Sequence, residues 1–468
     1  MTRPVLGQQR TAIRLIEPGL DAAPRPSAAS PAPRMDAMDE ARRTSLPAID
    51  VAEEHALATR VTELEARLGA LVFWSRESKA ALRSILASSA WRDGSLSERT
   101  QILRVLEALP TTPTDDSLYS YGHGTPFQTP VEAFARLTGK LTQRAADGTT
   151  LIAQLERLAT HPFAPAVAGC FAHQTPSIAL ASVVQEVADP ARIEQATAAT
   201  CTVTSLAYAL AQRDPAEYAR LNVSLLLDAE VHTRGGERLV FDRNGTETSI
   251  AKPSERSISE RAFQSALMQA AFPRADYVFT DTSTAPEGRE AYETNVLTVL
   301  PLWLRVLSWI FFPAGIILSL IRFRQTGLSD DNLAAITTSV LGREYHSVAA
   351  SLDALRGHLD SNGRVRAPVF VSFDHFAGGP HELSLVGVEG EGEDAVLICR
   401  NPWGSIWVDV DGEDLATTYA LLWKQKPGVR PATDSLKGVR FEDSSEGTIR
   451  IPLGSATGRT IRGFVLPN

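Results

Sequence analysis

The sequence predicts an α+β fold, with a helical N-terminal domain ahead of a mixed domain, and three observations carry the prediction. Between residues 50 and 158 apolar residues recur at helical spacing. Beyond Thr160 short apolar runs bounded by glycine follow helical stretches instead of alternating with them, which argues against repeated βαβ units. The chain of 468 residues is also about three times a usual domain of ~150 residues, enough for two or three folding units.

Residues 18–33, PGLDAAPRPSAASPAP, hold five prolines, five alanines and one bulky apolar residue, Leu20. That composition supports no packed core, so residues 1–47 read as a disordered leader. From Asp50 the pattern turns helical: Leu57, Val61, Leu64, Leu68 and Leu71 share one stripe, with Glu63, Glu65 and Arg67 off it. Ser95-Leu-Ser-Glu98 is a capping-box signature ahead of Ile102, Leu103, Val105, Leu106 and Leu109. Thr129-Pro130-Val-Glu132 is another helix start, with proline where a helix needs no amide donor. These helices read as a packing or docking module, because they carry no residue suited to catalysis. Strands are expected at 367–373, 382–388 and 395–399, and two edge strands at 447–451 and 460–464. The expected organisation is a leader over 1–47, a helical domain over 50–158, a mixed domain over 160–430 with an apolar insertion at about 296–325, and C-terminal strands over 431–468.

Apolar residues make up 44% of the chain and charged residues 22%, values that exclude a wholly disordered, collagen-like or coiled-coil protein. Forty-six Lys and Arg against 55 Asp and Glu give a net charge of −9, and no basic domain stands out. A nucleic-acid partner held by phosphate neutralisation is therefore not expected. The three cysteines, Cys170, Cys201 and Cys399, have no CxxC spacing, which argues against a disulfide framework and a four-thiolate zinc site. Neither a phosphate-binding loop, nor a GxGxxG fingerprint, nor a GxSxG elbow occurs, so nucleotide-driven and serine-hydrolase chemistry lose their usual anchors. His381-Glu382 begins like a zinc-protease helix, but Leu385 stands where the second histidine belongs. The acidic run at 409–414 lacks the spacing of a calcium loop and reads as a solvated turn. The first residues carry no apolar run of ~7 to 15 residues, so no cleavable secretory signal is visible and cytoplasmic synthesis is expected.

The positive signal has three parts: Gln195-Ala-Thr-Ala-Ala-Thr-Cys201 opening a helix, HELSLVG at 381–387 on a strand, and RNPWG at 400–404 after another. A thiol becomes a strong nucleophile when a helix N-terminus and an imidazolium both favour the thiolate. Apolar residues at Val203, Leu206, Ala207 and Leu210 place Cys201 in the first turn of such a helix, with threonines nearby as caps. Cys170 and Cys399 read as packing residues, and His375 is the fallback base.

This constellation resembles the papain-like cysteine peptidases, most closely the calpain-type catalytic core, over roughly residues 185–425. The resemblance implies a two-lobed fold, a helical lobe against an antiparallel sheet. It also implies a triad of Cys201 as nucleophile, His381 as base and Asn401 as orienting group, with Gln195 and the Cys201 N–H receiving the oxyanion and Trp403 covering Asn401. The chain departs from the family beside the nucleophile, where ATCTVTS replaces the usual GxCW, and it spaces Cys201 and His381 by 180 residues, which requires an insertion. The implied reaction is peptide hydrolysis on a protein or peptide substrate, with no metal or organic cofactor. A glutamine deamidase or transglutaminase-like acyl transferase, and an inactive papain-like binding module, are the alternatives.

The insertion is visible at 296–325. Between Glu293 and Arg322 only Arg305 is charged, and Pro301 and Pro313 interrupt the run. It reads either as a buried helical hairpin or as a segment in contact with a membrane, flanked by Trp303, Trp309, Arg322 and Arg324. An apolar insertion without a secretory signal is consistent with an exported bacterial effector or toxin-like protease.

Overall fold

The computed structural model describes residues 48–71, 74–110, 129–172, 174–195, 200–247, 256–279, 290–310, 312–325, 327–374, 380–402, 440–443, 448–453 and 461–468. The leader at 1–47, His375, Trp403, Gly404 and the acidic run at 409–414 lie outside the described residues. The chain divides into two compact units, Met1–Glu53 and Glu54–Asn468, the first described only from residue 48.

The amphipathic stripe forms helix α1, Ala48–Gly69, which buries Leu57, Leu64 and Leu68. Helices α2 (Ser75–Ala87), α3 (Ser89–Arg92), α4 (Leu96–Ala108), α5 (Pro130–Arg136) and α6 (Leu151–Thr160) follow. Both expected starts are capping boxes: Ser95 with Glu98 opens α4, and Thr129 with Glu132 opens α5 beside Pro130. After α7 (Pro165–Cys170) come α8 (Pro176–Ala188), α9 (Cys201–Arg213) and α10 (Pro215–Asp228). One apolar cluster joins Leu103 of α4, Leu155 of α6, Val183 of α8, Leu206 of α9 and Leu221 of α10. Among the described residues no separate core marks the boundary expected near residue 158.

Strands β1 (Glu230–His232) and β2 (Arg238–Val240) form a small hairpin ahead of α11 (Ile258–Ala271). Strands β3 (Asp276–Phe279), β4 (Glu290–Asn295) and β5 (Arg322–Gln325) form an antiparallel sheet in that order. Between β4 and β5 the chain runs through α12 (Val296–Val299), α13 (Leu302–Ile310) and α14 (Phe312–Leu320). Of the two readings of this insertion, burial does not hold: Leu302, Trp303, Trp309, Ile310, Ile317 and Leu320 are exposed. The two longer helices pack on each other with Ser308 inside, and most of the apolar side chains described on them are exposed.

The second part of the chain adds α15 (Asp330–Leu341), β6 (Tyr345–Ala349), α16 (Leu352–Arg356), β7 (Phe370–Asp374), β8 (Pro380–Glu389), β9 (Val396–Arg400), β10 (Arg440–Asp443), β11 (Thr448–Pro452) and β12 (Ile461–Pro467). The last seven strands make one antiparallel sheet in the order β10-β11-β9-β8-β7-β12-β6. The three expected central strands are therefore present as β7, β8 and β9. The two C-terminal strands are not edges as expected: β11 lies between β10 and β9, and β12 between β7 and β6. Strand β12 is thus paired on both sides, and the burial of Phe464, Val465 and Leu466 shows that it is covered on both faces as well.

Cross-strand partners divide the sheet into two faces. Phe370 and Val465 join the helical core, while Val371 and Phe464 join a second cluster with Leu383, Leu385, Cys399 and Ile449. The connection from β8 to β9 starts at Gly390, whose φ is 75°, and a Cβ there would lie 2.8 Å from the Asp394 carbonyl oxygen. Only glycine suits that turn. The architecture is mixed α+β, built on antiparallel sheets.

Candidate active site

Cys201 is the first residue of α9, a helix buried along nearly its whole length from Cys201 to Ala211. Thr200 is the N-cap, but contrary to expectation its side chain does not cap the helix: its hydroxyl donates to Gln264 Oε1 at 2.8 Å. The backbone N–H groups of Cys201 and Thr202, at the open N-terminus of the helix, instead favour the thiolate.

On the sheet side, β8 pairs with β7 out to Pro380, but with β9 only as far as Ser384 opposite Arg400. The first residues of β8 thus lack a β9 neighbour, because the chain turns away at Asn401. There the backbone N–H of Glu382 faces the Cys201 sulfur and favours its thiolate. His381 Nε2 lies 2.9 Å from Asn401 Oδ1, both residues being buried. The Gln195 N–H donates to the Pro402 carbonyl at 2.8 Å. Three stretches distant in sequence are brought together, so Gln195, Cys201, His381 and Asn401 share one neighbourhood. Of the other two cysteines, Cys399 is buried in the second cluster and Cys170 packs half-buried against the first.

Further residues fasten this arrangement, and local sequence singled out only one of them. One turn along α9 from the thiol, the Ser205 hydroxyl donates to the Glu382 carbonyl at 3.1 Å, and the Ser384 hydroxyl donates to the Ser205 carbonyl at 3.0 Å. This reciprocal pair sets the register between the cysteine helix and the histidine strand. Arg400 donates to the carbonyls of Asn401, Ala191 and Ile193, and its guanidinium lies 5.7 Å from the Tyr208 ring centroid. It ties the segment before Gln195 to the turn that holds Asn401. Gln264 Nε2 donates to the Glu194 carbonyl at 2.9 Å while its Oε1 accepts from Thr200. One side chain therefore bridges Glu194, beside Gln195, and Thr200, beside Cys201. Arg400 stood inside the RNPWG motif and was visible there; Gln264, Ser205 and Ser384 meet partners 64 to 179 residues away, which no local pattern reveals.

Burial dominates the electrostatics. It pushes the Cys201 thiol up to about 12, against the backbone N–H bonds that favour the thiolate. It pushes His381 down to about 4, opposed by the bond to Asn401. The resting pair is thus a neutral thiol and a neutral imidazole, not the thiolate and imidazolium expected from the motif. With Nε2 holding its proton toward Asn401 Oδ1, Nδ1 is the basic nitrogen of the ring. Burial, reinforced by Asp330, also holds the Glu382 carboxyl well above the usual carboxylate range, and its negative charge acts with burial to raise the Cys201 thiol. Among the described residues no cluster of three His, Cys, Asp or Glu side chains is placed to hold a metal ion. Comparison of the chain with protein-family models, with curated proteins and with solved structures finds no match.

Proposed function

We propose that the chain is a papain-like cysteine peptidase, nearest in plan to the calpain-type core, that hydrolyses peptide bonds through a Cys201 thioester. The observation that carries the reading is the 2.9 Å contact of His381 Nε2 with Asn401 Oδ1 beside a thiol at a helix N-terminus. On this reading the helices around α9 and the sheet around β8 are the two lobes.

The Cys201 sulfur attacks the peptide carbonyl carbon as its proton passes to His381 Nδ1. Gln195 and the Cys201 N–H receive the negative oxygen, and Asn401 keeps the imidazolium in place. Breaking the C–N bond releases the amine, which takes the proton from His381 and leaves the acyl group on sulfur. Water, deprotonated by His381, then hydrolyses the thioester. Because the resting pair is neutral, the proton moves during attack and not before it.

Incubation with an epoxide inhibitor of cysteine peptidases, followed by peptide mapping, tests the assignment. Cys201 should carry the adduct, and Cys201→Ala should lose both adduct and cleavage of an unfolded protein. An adduct on Cys170 or Cys399 overturns it. Labelled Cys201 with ammonia release and no cleavage assigns the deamidase or acyl-transfer alternative. The inactive binding module has one observation in its favour, the burial that raises the thiol to about 12. Complete resistance of Cys201 to labelling in the folded protein would establish that second reading.

A further inference from the structure

We propose that the hairpin of α13 and α14 inserts into one leaflet of a lipid bilayer and holds the rest of the chain at the membrane surface. The hairpin takes no part in the catalytic arrangement. Every exposed side chain described between residues 301 and 321 is apolar, with Leu302 at 68%, Ile310 at 67% and Leu320 at 77% exposure the most open. Such a continuous apolar surface marks an interaction site on a folded chain.

Three features select lipid over protein as the occupant. First, both helices are exposed: α13 presents Leu302, Val306 and Ile310 at helical spacing together with Trp303, and α14 presents Ile317 and Leu320. A protein partner covers an apolar centre framed by a polar rim. Here no exposed polar side chain is described on either helix, as suits hydrocarbon on all sides. Second, each helix has nine residues, which at ~1.5 Å per residue is about 14 Å, close to half of a hydrocarbon core ~30 Å thick. No helix among the described residues is long and apolar enough to cross a membrane, so the reach matches a single leaflet. Third, both arms are helical, so the groups that can pair do so along the helix, the form of backbone that the hydrocarbon region favours.

The base of the hairpin is closed by the Val296 N–H donating to the Ile321 carbonyl at 2.8 Å, and Asn295 caps α12 through the Thr298 N–H. Charged sequence resumes there, at Glu293 on one strand and at Arg322 and Arg324 on the other, which sets the level of the lipid head groups. Trp303, in the first turn of α13, is the residue type that favours the interface. Arg305 is half-buried, and its long stem can carry the guanidinium toward the head groups.

The test is flotation of the full chain with phosphatidylcholine vesicles and, in parallel, with mixed phosphatidylcholine and phosphatidylglycerol vesicles. The wild type should float with both, and Leu302→Glu combined with Ile310→Glu should lower the floated fraction by more than about tenfold. Both substituted side chains are exposed, so the variant should keep the wild-type circular dichroism spectrum and melting temperature. A wild type that stays with the unbound fraction, or a variant that floats equally, overturns the proposal. Flotation with the anionic vesicles alone replaces insertion by head-group attraction and also overturns it. A dimer in lipid-free solution that the variant abolishes, without flotation, assigns the face to a second copy of the chain. Labelling of Cys201 is independent of all these outcomes.

Discussion

Asn401→Ala removes the acceptor that His381 Nε2 reaches at 2.9 Å, in a place where both residues are buried. Loss of one partner of a buried hydrogen bond costs ~1–3 kcal/mol. At about 1 °C per kcal/mol for a unit of this size the melting midpoint should fall by roughly 1–3 °C. The larger effect is on chemistry. The Asn401 bond is the influence that raises His381 against burial, so its loss drives the imidazole further below about 4 and weakens it as a base. It also releases the tautomer: once the proton can sit on Nδ1, that nitrogen can no longer take the Cys201 proton in the proposed reaction. General-base catalysis contributes ~10²–10⁴, so turnover should fall at least about a hundredfold. Asn401→Asp, which keeps an acceptor in place, should recover part of the rate. The assay combines thermal melting with epoxide labelling of Cys201 and cleavage of an unfolded protein. An Asn401→Ala protein that melts with the wild type and labels Cys201 at the wild-type rate would refute the reasoning.

Gln264→Leu cuts the bridge between Glu194 and Thr200 and should lower peptide turnover by roughly 10²-fold, the typical effect of one lost oxyanion donor. Cys201 should still be alkylated by iodoacetamide, which needs no oxyanion site; equal loss of both would make Gln264 a folding residue only. Ser205→Ala should destabilise by ~0.5–1.5 kcal/mol in urea unfolding, and a double-mutant cycle with Ser384→Ala should show coupling, since both bonds join the same two elements. Strict additivity would count against their shared role. Stability should also respond to pH in two directions. His381 is lowered from 6.5 to about 4 on folding, so the stability it contributes is complete above about 6.5 and is lost as the pH falls toward 4. Glu260 is raised to about 8 by burial and by Glu186, so its contribution is complete below 4.5 and is lost as the pH rises through 8. Urea midpoints measured from pH 4 to 9 should therefore pass through a maximum, and Glu260→Gln should flatten the alkaline side; an unaltered alkaline slope removes that assignment.

Much of the local structure could be read from the chain alone, because its causes are local. The capping boxes at Ser95 and Thr129, the stripe through Leu57, Leu64 and Leu68, and the runs that became β7, β8 and β9 depend on residues within a few positions of each other. The motif residues Gln195, Cys201, His381 and Asn401 were visible for the same reason. Their chemical state was not. A neutral thiol and imidazole follow from burial of both groups, and burial is a property of the packed chain, summed over side chains far apart in sequence. The interior position of β12 likewise depends on β6 and β7, which occur about a hundred residues earlier. For the insertion, composition alone left both burial and exposure open and leaned towards burial, since apolar residues suit a core and a bilayer alike. Only the tertiary structure, by packing α13 on α14 with Ser308 inside and leaving Leu302, Trp303, Ile310, Ile317 and Leu320 exposed, decided between them.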